Sequence, residues 1–139
     1  MTELKKPLLI YDGDCGFCRH WIHRWRFVTQ DKIDYAPYQQ VKGRFPDISE
    51  TEFQRSVQFI APEGTLYRGA KAVLHTLAVH PNVRWPLKLY QSISGLAYVA
   101  ELAYQMVAKN RFLLSRLTLW FIGSVVGRPT TILTRNLFL

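Results

Sequence analysis

Acidic residues run out toward the end of this chain. Residues 84–139 carry seven Lys/Arg and a single acid, Glu101, whereas residues 1–83 hold eleven Lys/Arg against nine Asp/Glu. Most of the net charge of +8 therefore belongs to the last part of the chain. An acidic binding face is excluded there. A basic stretch with aromatics suits an anionic membrane surface, an acidic partner or a plain solvated helical face. Nucleic acid is the least favoured of the possible partners, and none is expected. Cysteine is equally scarce. Two residues, Cys15 and Cys18, rule out a disulfide framework, and an apolar share of 48% makes one unnecessary. Long hydrophobic runs are missing as well. The apolar run after Lys6 ends at Asp12, too soon for a secretory h-region, so the expectation is a cytoplasmic, reducing compartment. The stretch 87–107 has the length of a membrane span but holds Lys88, Gln91, Glu101 and Gln105. The stretch 112–127 is short and contains Arg116. Neither provides the ~20 predominantly apolar residues a span requires.

What is present points to an α/β chain. The 139 residues suit one domain, with a core over 1–83 and a helical extension over 84–139 packed on it. Pro7-Leu8-Leu9-Ile10-Tyr11 predicts a buried strand. From Gly16 to Val28 the apolar residues Phe17, Trp21, Trp25 and Val28 keep helical spacing and predict the core face of a helix. Arg19, His20, His23 and Arg26 then form its solvated side. Ile33-Asp34-Tyr35-Ala36 predicts a second strand ended by Pro37. Around Asp47–Phe53, Ser49 and Glu52 have the spacing of a capping box. Ser56–Ala61 and Thr65–Arg68, joined by Pro62-Glu63-Gly64, predict a hairpin. A helix from Gly69 to Val79 follows, with Val73, Leu74 and Leu77 inward. The first two strands, separated by a helix, should be parallel through a right-handed crossover.

Beyond Trp85-Pro86 the texture turns helical. Leu89, Ile93, Leu96, Ala100, Ala103 and Val107 keep the period, with Gly95 as a break. Leu113, Leu117, Trp120 and Phe121 suggest another helix, ending near Gly127 and Pro129. These helices are expected to fold back on the sheet, with peripheral contact to a membrane or membrane protein through their basic side as a variant.

The chemistry concentrates at Cys15-Gly16-Phe17-Cys18, where strand passes into helix. Backbone N–H groups and the helix dipole favour a thiolate at that position. Cys15 is expected at the helix entrance as the more exposed, attacking thiol. Cys18, one turn in and tucked against the sheet, would resolve the mixed disulfide. Asp12 and Asp14 raise a neighbouring thiol's pKa if close, while Arg19 acts the other way. Asp14 can cap the helix and Asp12 can bond the turn at Gly13, or either can take up a proton during resolution. A zinc set of Cys15, Cys18, His20 and His23 fails on geometry, because residues two apart on a helix point to opposite sides. No metal or cofactor is expected.

Tyr11-Asp12-Gly13-Asp14-Cys15-Gly16-Phe17-Cys18 resembles the signature of the DCC family of thiol–disulfide oxidoreductases. The resemblance continues through Tyr35-Ala36-Pro37-Tyr38-Gln39, Ser56-Val57, Gly69-Ala70 and Val107-Ala108-Lys109-Asn110-Arg111. It implies a thioredoxin-like fold, a small mixed sheet flanked by helices. It also implies that Cys15 is the nucleophile, that Cys18 resolves, and that the substrate is a disulfide- or thiol-bearing protein or small molecule. Arg128-Pro129-Thr130 and Leu133-Thr134-Arg135 look like the segment that precedes a lipase-maturation-factor-like membrane region in longer relatives. One departure stands out. Thioredoxin-like redox proteins usually enter the strand facing the cysteines through a cis-proline, and here that strand begins Arg55-Ser56-Val57. The rival reading is a non-enzymatic module whose basic helices bind a membrane or partner.

Overall fold

In the computed structural model, which describes residues 4–117, four strands form one mixed sheet in the order β2-β1-β3-β4. They are β1 (Leu8–Tyr11), β2 (Asp34–Pro37), β3 (Gln58–Ile60) and β4 (Leu66–Arg68). β1 pairs with β2 in parallel, from Leu8 opposite Asp34 to Tyr11 opposite Pro37. β1 is antiparallel to β3, and β3 to β4. The crossover from β1 to β2 runs through α1 (Gly16–Thr29). Next come α2 (Tyr38–Val41), α3 (Glu50–Arg55) and α4 (Gly69–Ala78). The helical continuation consists of α5 (Trp85–Ser92) and α6 (Leu96–Lys109), and residues 111–117 are again helical. This is an α/β fold of the thioredoxin-like kind.

Two apolar layers explain why β1 is continuously hydrophobic: both of its faces are covered. Leu8 and Ile10 pack with Tyr38, Val41, Ile48, Phe53 and Ile60 on one side. Leu9 packs with Ile22, Ile33, Val57, Phe59 and Ala72 on the other. Residue alternation along the strand sends these neighbours to opposite layers. Ser49 and Glu52 form the expected capping box, each bonding the other's backbone N–H at the start of α3.

The helices are present where the periodicity placed them, but four of them are rotated about their axes. On α1 the buried residues are Ile22 and Thr29, and Trp21 is 39% exposed rather than in the core. Thr29 is buried because its hydroxyl bonds the Trp25 carbonyl and meets the Tyr35 hydroxyl. On α4 small residues, Gly69, Ala70, Ala72 and Thr76, lie deepest, while Val73, Leu74 and Leu77 are half-buried. On α5 and α6 the anticipated inward stripe is outward in part, with Leu89, Ile93 and Val107 exposed. α6 instead directs Ala97, Ala100, Glu101, Tyr104 and Ala108 toward the body of the protein, and packs on α4 and α5. Hydrophobic periodicity misled here because the contact is made by small and polar side chains. Glu101 accepts hydrogen bonds from the Ala70 and Lys71 N–H groups at the start of α4 and from the Tyr90 hydroxyl. Gly69 sits beneath it at φ +59°, and a Cβ there would lie 2.7 Å from Glu101 Oε2. Trp120, Phe121, the helix end near Gly127 and the Arg128–Arg135 segment lie outside the described residues.

Candidate functional site

Tyr11 ends β1, and the chain turns through Asp12, Gly13 and Asp14 before Cys15 caps α1. The turn is built by local polar groups. Asp12 Oδ1 accepts the Asp14 N–H at 3.1 Å, and the Cys15 N–H bonds the Asp12 carbonyl at 3.3 Å. Gly13 has no room for a side chain: a Cβ would stand 2.7 Å from that of Pro37. Gln39, just past β2, closes the turn from the other side. Its Oε1 accepts the Gly13 N–H at 3.1 Å, and its Nε2 donates to Asp12 at 3.0 Å and to Asp14 at 3.2 Å.

The helix cap is Cys15 itself rather than Asp14. Its backbone is extended, with φ −84° and ψ 109°, and its sulfur accepts the Cys18 N–H at 3.3 Å. Sulfur takes the place that a serine or aspartate oxygen usually fills at an N-cap. Asp14 is left exposed, held by Gln39 and by its own turn.

Both cysteines are free thiols, and their exposure is the reverse of that expected. Cys15 is 2% exposed, enclosed because the cap position lies over the end of the sheet. Cys18, one turn on, is only half-buried and faces a cavity of about 430 Å³. Phe17, Trp21 and Trp25 of α1, Val57 at the head of β3, and Ala103 and Val107 of α6 supply much of its wall. Burial, then the hydrogen bond and charge of Cys15, push the Cys18 thiol up to about 12. Arg111 opposes that rise and Asp12 adds to it.

Three groups at this site were not singled out from the sequence. Arg111 lies 3.6 Å from Asp12 Oδ2 as a largely buried ion pair, and donates to the Gln54 carbonyl at 2.7 Å. Tyr104 donates nothing to the cysteines. Its hydroxyl accepts the Val57 N–H at 3.0 Å, and its pKa is pushed up to about 12, chiefly by burial. Gln39 is the third. Gln39 and Arg111 both fall inside segments that carried the family resemblance, so a signal existed for them. For Tyr104 the signal was its helical spacing from Ala97, Ala100, Glu101 and Ala108, which a search for apolar stripes passes over.

The histidines do not join the cysteines. His20 packs edge-on to Trp21 and His23 edge-on to Phe27. Among the described residues no group of three or more His, Cys, Asp or Glu side chains is placed to hold a metal ion. Among the described helices none is long and apolar enough to cross a membrane.

A thioredoxin-like sheet with two neighbouring thiols at the end of its first strand defines a class, that of proteins handling thiol–disulfide chemistry. A family model described as DCC1-like thiol-disulfide oxidoreductase matches residues 9–117, and the chain belongs to that family. No curated protein and no solved structure matches it.

Proposed function

We propose that the protein is a thiol–disulfide oxidoreductase in which Cys15 and Cys18 cycle between dithiol and disulfide. The observation that carries this reading is the Cys15 sulfur at the cap of α1, bonded to the Cys18 N–H. A thiolate at Cys15 gains that hydrogen bond and the positive end of the helix dipole. The cycle needs one sulfur that meets substrate and one that resolves the mixed disulfide. Exposure favours Cys18 for the first role, since it is open to the cavity, and the contact between the Cys15 sulfur and the Cys18 N–H favours Cys15 for the second.

In the reductive direction a substrate R–S–S–R is attacked by the Cys18 sulfur, which loses its proton. The substrate S–S bond breaks, one R–S⁻ leaves and takes up a proton, and a mixed disulfide Cys18–S–S–R remains. The Cys15 thiolate then attacks the Cys18 sulfur, breaking its bond to R and releasing a second R–S⁻. Two electrons pass from the cysteine pair to the substrate. Asp12 and Asp14 belong to the same turn, and in this reading one of them takes up the proton that Cys18 loses on attack. This order of attack inverts the one that the signature implied, and the two orders separate in a trapping experiment. Cys15→Ser should accumulate a mixed disulfide on Cys18, visible by mass spectrometry, whereas a trapped adduct only in Cys18→Ser restores Cys15 as the attacking thiol. A glutathione redox titration with thiol labelling should show a single two-electron transition; its absence would end the redox reading.

A second reading rests on the outer side of the helical continuation. Tyr98, Val99, Leu102, Met106, Phe112 and Leu113 are all exposed there, among basic residues such as Lys109 and Arg116. Such a face suits peripheral binding to an anionic membrane. It is compatible with the redox chemistry, since the cavity opens elsewhere on α6. In this reading the core over 1–83 acts as the platform and the extension as the binding element.

A further inference from the structure

Thioredoxin-like proteins that act on polypeptides hold them by pairing backbone to backbone at the entry to the strand facing the cysteines, a form of strand addition. Here that entry is Ser56-Val57, and its groups are already engaged within the chain. The Ser56 N–H bonds the Glu52 carbonyl at 3.1 Å, and the Ser56 carbonyl accepts Gln58 Nε2 at 3.1 Å. The Val57 N–H bonds the Tyr104 hydroxyl at 3.0 Å, and the Val57 carbonyl accepts the Gly69 N–H at 3.2 Å. Both backbone donors are therefore taken. α6 supplies the Tyr104 hydroxyl that engages one of them.

What remains beside Cys18 is the cavity. Its volume of about 430 Å³ lies within the ~300–1,000 Å³ typical of small-molecule sites. Its walls are mainly indole, phenyl and aliphatic carbon. The charges at its inner end, Asp12 and Arg111, neutralise each other as an ion pair, and Arg55 stands at the exposed rim. A neutral apolar group can enter without stripping an unpaired charge of water, whereas a polar one loses hydration and finds few partners.

We infer that the exchange partner is a small disulfide or thiol carrying an uncharged apolar substituent, seated in this cavity against Trp21 and Trp25 with its sulfur on Cys18. The inference rests on the redox reading above and names its substrate class. The covalent step is the exchange already written, with R an apolar group: the R–S–S–R bond is reduced to two R–SH while the cysteine pair is oxidised to a disulfide.

The test is a substrate series on the full reduced chain, followed by tryptophan fluorescence and by release of thiol. Dipropyl disulfide, bis(2-hydroxyethyl) disulfide, dithiodipropionate and the polypeptide disulfides of insulin make up the series. Dipropyl disulfide should exceed each of the others in second-order rate constant, after division by its rate with free dithiothreitol, by about tenfold, the size expected when one or two methylenes enter an apolar pocket. In Ala103→Trp, which places an indole in the cavity wall, that advantage should fall toward one. Equal or faster reaction with hydroxyethyl disulfide, dithiodipropionate or insulin overturns the inference. The wild-type series decides the matter even if the variant does not fold. A two-electron transition together with a reversed preference removes the inference alone. No transition and no exchange with any member removes the redox reading and the inference with it.

Discussion

At the scale of single residues the site sets two free thiols beside one ion pair. Cys18 stays protonated because it is partly desolvated and sits beside Cys15, and Arg111 is the one group that favours its ionisation among the causes resolved. Removing that cation moves the Cys18 thiol further up. Arg111→Gln should therefore slow alkylation of Cys18 by iodoacetamide near neutral pH by roughly threefold to tenfold, and shift the rate profile toward higher pH. Lysine at the same position should restore part of the profile, because it keeps the charge but not the two-ended contact to Asp12 and the Gln54 carbonyl. An unchanged profile in Arg111→Gln would show that the ion pair serves packing alone. The sequence made the cysteines and both aspartates legible, because their spacing and the turn glycine carry chemistry in themselves. It hid Arg111, a basic residue in a basic stretch, with nothing local to mark it as buried. It also misjudged which thiol is exposed, since spacing alone does not show that Cys15 caps α1 while Cys18 lines a cavity.

At the scale of elements, local chemistry was the most faithful guide. The parallel pairing of β1 with β2 and the β3–β4 hairpin formed as read, and the Ser49–Glu52 capping box formed as its spacing required. Ser49→Ala removes the hydroxyl that accepts the Glu52 N–H, and should cost about 1 kcal/mol in urea unfolding at constant slope. A loss near zero would mean that α3 is held by Phe53 packing alone. Helix rotation was harder to read. α1 and α6 turn their aromatic and aliphatic stripes partly toward the cavity or outward; α1 rests on Ile22 and Thr29, and α6 on small and polar residues. A stripe marks what can be buried, while the partner surface decides what is buried. α6 meets the N-terminus of α4, where unpaired N–H groups attract a carboxylate. That is why the acid-poor segment keeps Glu101 where it does.

For the molecule as a whole the open matter is what the outer side of α5 and α6 meets. Tyr98, Leu102 and Met106 of α6, and Phe112 just after it, are exposed, with Lys109 and Arg116 close by in sequence. If that side meets a membrane, the protein should sediment with vesicles containing phosphatidylserine at low salt. It should be released severalfold at an ionic strength where the Debye length is about 3 Å, near 1 M. Binding indifferent to salt and to lipid charge would remove the electrostatic version of this reading. The redox site is arranged so that it does not depend on that answer. Gln39 holds the cysteine turn through an amide, a group that neither titrates nor responds to ions, while Asp12 and Arg111 set the field at the thiols. Asp12 serves both the turn and the charge, while Gln39 serves the turn and Arg111 the charge. Substitution at residue 111 changes the charge beside Cys18 while the Gln39 contacts that hold the loop presenting both sulfurs stay in place.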